Sequence, residues 1–128
     1  MNNIDKLIEN LNKEQKEAVL STEGPNLIVA GAGSGKTRVL TTRLIHIIDK
    51  KKAWPNQILC VTFTNKAAKE MQNRVIKFVK GSSTAIPWLG TFHSISVKIL
   101  RRHAEALEYK SNFTILDTDD QKKLVRNI

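Results

Sequence analysis

Leu27-Ile28-Val29-Ala30-Gly31-Ala32-Gly33-Ser34-Gly35-Lys36-Thr37 is the stretch on which the reading of this chain turns. An apolar run enters a glycine-rich turn, and a helical pattern runs on from Arg38 to Ile48. Strand, turn and helix N-terminus in that order form the layout of a phosphate-binding loop. Glycines let the backbone curl so that successive N–H groups point inward at phosphate oxygens. The helix that follows adds the positive end of its dipole and its unpaired first-turn N–H groups. Lys36 supplies a full charge to the β- and γ-phosphates, and the Thr37 hydroxyl suits one position on Mg²⁺. The usual first glycine is Ala30 here, one methyl group more, at a position that ends the strand and where a small residue suffices. The competing reading is an ordinary turn before an ordinary helix, and Gly-Lys-Thr at a strand-to-helix junction argues against it. The sequence is therefore expected to bind a nucleoside triphosphate through Ala30, Gly31, Ala32, Gly33, Ser34, Gly35, Lys36 and Thr37.

A chain of 128 residues with 41% hydrophobic content has enough apolar matter for one small core. A complete P-loop motor needs more strands than this length holds, so the chain is expected to be part of something larger. Its net charge of +9 is concentrated. Residues 36–80 hold eleven Lys/Arg against only Asp49 and Glu70, while the remainder carries ten of each sign. Two or three cations serve a triphosphate, and a polyanion such as nucleic acid is the natural partner for the rest. A solvated basic helix face is the plainer alternative. Cys60, the one cysteine, lies in the apolar run Ile58-Leu59-Cys60-Val61 and is expected to be buried in a reducing compartment. His46, His93 and His103 are too scattered for a metal site. The polar N-terminus does not resemble a signal peptide and no apolar stretch approaches membrane length, which leads us to expect a cytoplasmic protein.

Ile4, Leu7, Ile8 and Leu11 fall at helical spacing, and Asn12 with Gln15 three residues on reads as a capping box for a second helix. Glu23 to Asn26 is a turn, and Leu27 to Ala30 reads as a strand buried on both faces. Ile58 to Phe63 is expected to be a second strand, parallel to the first across a helical crossover. Thr64 caps the next helix, whose inward stripe is Ala67, Ala68, Met71, Val75 and Phe78, ending at Gly81-Ser82-Ser83. Ile86 to Thr91 reads as a third strand with Pro87 near its start. A helix is expected from His93 to Ala106, then an extended piece from Phe113 to Leu116. A capping box over Thr118-Asp119-Asp120-Gln121 should open a last helix, which lacks a C-terminal signal before Ile128.

Hydrolysis of a triphosphate requires a carboxylate on Mg²⁺ and a group that orients water. Asp117, Asp119 and Asp120 are the sole candidates, and helix capping accounts for them without metal. The chain is thus expected to bind ATP without turning it over. Gln15 is open to two readings, a capping partner for Asn12 or a bidentate reader of adenine N6 and N7; spacing alone favours the cap. Phe63-Thr64-Asn65-Lys66 and Thr91-Phe92-His93-Ser94 stand at equivalent strand ends, the edge where parallel sheets bind ligands. Hydroxyl, amide and lysine suit a phosphate backbone, and each phenylalanine either stacks a base or belongs to the core.

Leu11-Asn12-Lys13-Glu14-Gln15, the Ala30–Thr37 loop with Arg38, Thr62-Phe63-Thr64-Asn65-Lys66-Ala67-Ala68 and Thr91-Phe92-His93-Ser94 together resemble the N-terminal motifs of the UvrD/Rep/PcrA group of superfamily 1 DNA helicases. Order and spacing agree from about Leu11 to the C-terminus. The resemblance implies an α/β, RecA-like P-loop fold with a partial parallel sheet and flanking helices. Residues 1–93 would belong to the first motor domain and 94–128 to the start of an inserted helical subdomain, here truncated. Gln15 would read adenine, and Lys36, Thr37 and Arg38 would serve ATP and Mg²⁺. Phe63, Thr64, Asn65, Lys66, Thr91, Phe92 and His93 would track single-stranded DNA. The intact protein would be an ATP-dependent 3′→5′ helicase acting on single strands and duplex junctions in repair or replication. The family's later motifs, the aspartate-glutamate pair and arginine fingers among them, are not in this sequence. Two other readings compete: a non-hydrolysing nucleotide- or DNA-binding module, and the motor portion of an AddA- or RecB-like helicase-nuclease.

Overall fold

The computed structural model describes residues 3–79 and 86–128. Three helices come first: α1 (Asn3–Glu9), α2 (Lys13–Leu20) and α3 (Lys36–Asp49). Asn12 and Gln15 form the expected capping box in full. The Gln15 N–H donates to Asn12 Oδ1 at 2.8 Å, and the Asn12 N–H donates to Gln15 Oε1 at 3.0 Å. A single 3₁₀ turn at Pro55–Gln57 follows the break at Trp54 and leads into strand β1 (Leu59–Thr62). Helix α4 (Asn65–Phe78) is capped by Thr64, whose Oγ1 accepts from the Ala67 N–H at 3.2 Å. Strand β2 (Trp88–Thr91) pairs parallel to β1, with Leu59 opposite Trp88 and Thr62 opposite Thr91. Pro87 stands just before β2, where its missing N–H breaks no ladder bond. The turn expected at Gly81-Ser82-Ser83 lies outside the described residues.

The sheet among the described residues is thus mixed into an α/β arrangement of two parallel strands with helices. One core joins Ile4 of α1, Leu44 and Ile45 of α3, Cys60 of β1, Met71 and Val75 of α4, and Ile86. A smaller cluster of Leu11, Val19 and Val39 fastens α2 to α3. Arg43 adds a second fastening by donating to the carbonyl of Ala18 near the C-terminus of α2. Cys60 is buried as expected, its Sγ 3.9 Å from Met71 Sδ, and burial raises its thiol pKa.

One expectation is overturned. Residues 27–30 form no strand: Leu27 is 91% exposed and Val29 88%. A strand requires a neighbour for its N–H and C=O groups, and the two strands among the described residues pair with each other. An unbroken apolar run signals burial in a sheet, but the pairing must come from elsewhere in the fold.

The chain divides after Phe92 into two compact units. In the second, α5, which begins at Phe92, runs to His103, one turn shorter than expected, and Ala104–Leu107 tightens into a 3₁₀ turn. Helix α6 (Thr118–Arg126) starts from Asp117, whose Oδ1 accepts from the Asp120 N–H at 2.7 Å. The cap therefore sits one residue before the expected box, and the Gln121 N–H that Thr118 would have capped goes to the Asp117 carbonyl at 3.0 Å. Within this unit the Arg101 guanidinium lies 5.5 Å from the Phe113 ring centre, within cation–π range.

His46 of α3 is only 7% exposed, and its Nδ1 meets no partner among the described residues. Burial, reinforced by Lys50 and Lys52, holds its pKa below the ordinary 6.5, against a smaller opposing pull from Asp49. The unfolded chain therefore takes up this proton before the folded one does, so stability is full above about pH 6.5 and falls as pH drops below it. The urea midpoint should decline as pH falls below about 6.5, and His46→Gln should flatten that decline.

Candidate nucleotide and nucleic-acid sites

The loop at residues 31–35 owes its shape to two glycines. Gly33 (φ +74°) and Gly35 (φ +82°) adopt the left-handed region, which other residues enter at a cost. Between them Ser34 folds back on Gly31, its N–H donating to the Gly31 carbonyl at 3.3 Å and its hydroxyl to the same oxygen at 2.5 Å. Gly35 is the N-cap of α3 and offers no side chain to its first turn. The helix N-terminus is thus left open, with Lys36 and Thr37 exposed on it. Among the described residues, no ion pair or hydrogen bond engages the Lys36 ammonium.

Gln15 joins this loop to α2. Its Nε2 donates to the Ser34 carbonyl at 3.0 Å while its Oε1 stays in the capping box. The capping reading of Gln15 is realised, and the same amide also abuts the backbone of the glycine-rich loop. The link spans 19 residues, and nothing in local spacing announces it. Arg38, which the resemblance assigns to the triphosphate, donates through Nη2 to the Asn10 carbonyl at 3.3 Å. That bond pins the first turn of α3 to the chain leaving α1.

The second cluster stands where β1 and β2 end. The parallel register puts Thr62 beside Thr91, so the next residue of each strand, Phe63 and Phe92, emerges at the same edge. Their ring centres are 5.2 Å apart at 42°, a tilted aromatic pair. Phe63 is 90% exposed and Phe92 47%, so neither is a core residue. Thr62 Oγ1 donates to the Thr64 carbonyl at 3.0 Å, fixing the turn into α4. Thr64, Asn65 and Lys66 are exposed around that N-terminus, whereas Thr91 is buried at the end of its strand. His93 is exposed in the second unit. Asp117, also there, is committed to its cap.

Residues 11–128 match the UvrD/REP helicase N-terminal domain, and the chain belongs to that family. It is 53% identical over 122 residues to the ATP-dependent DNA helicase PcrA of Staphylococcus epidermidis (strain ATCC 35984), covering 95% of this chain and 17% of that protein. The PcrA of Staphylococcus aureus (strain Mu50) is 52% identical over the same share of each. The chain spans about a sixth of the length of these relatives. No helix among the described residues is long and apolar enough to cross a membrane.

The loop geometry makes an internally controlled prediction. Gly35→Ala places a Cβ 3.2 Å from Gln15 Nε2 at a positive φ, and should cost about 1–2 kcal/mol. Gly31→Ala, with nothing within 4 Å and no positive φ, should leave the urea midpoint unchanged.

Proposed function

We propose that this chain contributes the ATP-binding loop and part of the DNA-tracking edge of an ATP-dependent helicase that moves 3′→5′ along single-stranded DNA. The observation that carries the nucleotide half is the open start of α3. Two left-handed glycines present an uncapped helix N-terminus, with an unpartnered Lys36 on its first turn. In this reading Ala30 to Thr37 cradle the phosphates and Lys36 neutralises their charge. The exposed Thr37 hydroxyl would offer one oxygen to Mg²⁺, which would supply neutralising charge at the triphosphate. Arg38 either keeps its bond to Asn10 or exchanges it for a phosphate oxygen.

Gln15 would accept from adenine N6–H and donate to N7. Each amide atom already makes one bond, to the Asn12 N–H and to the Ser34 carbonyl, and keeps one lone pair and one N–H for adenine. Base recognition would thereby act on the backbone that holds the phosphates. At the sheet edge Phe63 and Phe92 would stack bases, with Thr64, Asn65, Lys66, Thr91 and His93 near the sugar-phosphate backbone.

We assign the fold to the RecA-like class. Residues 1–93 would fall in the first motor domain and 94–128 in an inserted helical subdomain. The substrate would be single strands and duplex junctions in the cytoplasm, during repair or replication. Asp117 is occupied as a cap, which supports binding of ATP by this chain without turnover.

The test is ATP binding and hydrolysis by the 128-residue chain, with and without single-stranded DNA, beside two variants. Lys36→Ala should weaken ATP by about 2 kcal/mol, close to thirty-fold, and leave DNA affinity intact. Phe63→Ala should weaken oligo-dT by about 1–3 kcal/mol and leave ATP affinity intact. DNA-stimulated hydrolysis lost in the Lys36 variant would overturn the non-hydrolysing reading. Equal loss of both ligands in either variant would overturn the separation of the two sites.

A further inference from the structure

We propose that the outward face of α4, bearing Lys66, Lys69, Asn73 and Lys77, holds the phosphodiester backbone of the nucleic-acid strand whose bases occupy the Phe63–Phe92 pair. It rests on the reading of that pair as a base-stacking site and extends it beyond the strand-end cluster. Ala68, Met71 and Val75 turn the opposite face of α4 into the core. At 100° per residue, Lys66, Lys69, Asn73 and Lys77 then share the solvent side, and all four are exposed.

Three features separate this face from an ordinary charged helix surface. Its one acid, Glu70, is bound to Arg74 at 2.5 Å, while no ion pair among the described residues engages Lys66, Lys69 or Lys77. The three lysines therefore present uncompensated charge over roughly 16 Å of helix axis. The first turn of α4 contains Lys66 and no acid, the opposite of what the helix dipole favours. This placement works against the helix itself and suits an anion arriving at its N-terminus. Finally, the helix begins two residues after Phe63, so the basic face starts where the ring pair ends. A strand stacked on the rings finds cations in the direction α4 leads.

The electrostatic contribution is measurable apart from stacking, because each single-strand phosphate contact adds about 0.7 to the slope of log K against log salt. Affinity for oligo-dT of about sixteen nucleotides would be followed by fluorescence anisotropy from about 50 to 200 mM salt. Lys69→Gln with Lys77→Gln should reduce the slope by about 1.4, and Phe63→Ala should lower affinity with the slope unchanged. A matched control, Lys122→Gln with Lys123→Gln on exposed α6, removes equal charge elsewhere and should leave the slope in place. An unchanged slope in the α4 double variant overturns the proposal, as does an equal fall in the control, which would mean a diffuse field rather than a track. If Phe63→Ala alone weakens binding, the stacking site stands and the α4 track fails. If the unmodified chain binds no oligonucleotide, the stacking reading fails and the track with it.

Discussion

Everything in the first unit leans on the burial of α3. Ile45 is almost fully enclosed, Leu44 joins the same core, and Val39 closes the cluster against α2. Thr41 and Thr42, also buried, satisfy their hydroxyls by donating to the Thr37 and Arg38 carbonyls one turn back. Among the described residues no buried hydroxyl is left without a partner, as packing at this depth demands. The rear of the helix is held by α1, α2 and α4, while its first turn and the neighbouring Leu40 emerge. That turn cannot tilt without disturbing the core, so the direction of its N–H groups is set by packing far from them. In the proposed phosphate-binding role such backing would matter, since small errors of placement forfeit much of a hydrogen bond.

The parts of this architecture that were legible in sequence are those settled by near neighbours. The Asn12–Gln15 box and the Thr64 cap depend on residues three apart, and both form. Cys60 sits inside a short apolar run and is buried with it. Leu27 to Val29 shows the limit, because an apolar run records that burial is wanted and not which strands provide it. The start of α6 shows a finer limit: Asp117 and Thr118 are both good caps, and local competition decided for the carboxylate. The Gln15–Ser34 and Arg38–Asn10 bonds join residues 19 and 28 apart. No periodicity encodes them, and they appear only once α1 and α2 have docked on α3.

Glu23 and Lys52 add a constraint of a different kind. Their 2.8 Å ion pair joins the turn before the apolar run to the segment leaving α3, so the loop-bearing stretch is bracketed at both ends. Lys52 holds the Glu23 carboxyl below its ordinary pKa. The pair is exposed, and exposed pairs contribute little stability. Its consequence is geometric, keeping the entry to the loop near the exit of the helix while α3 fixes the middle.

The parallel ladder of β1 and β2 also sets a length scale. Phe63 and Phe92 each follow the last paired residue of their strands, and neighbouring strands stand about 4.8 Å apart. The 5.2 Å between ring centres therefore follows from backbone hydrogen bonding more than from any preference of the rings. The sheet edge works as a ruler whose graduation is the interstrand distance. Exchanging one ring for another aromatic would alter the face it presents, but the interval between the two positions would remain that of the backbone.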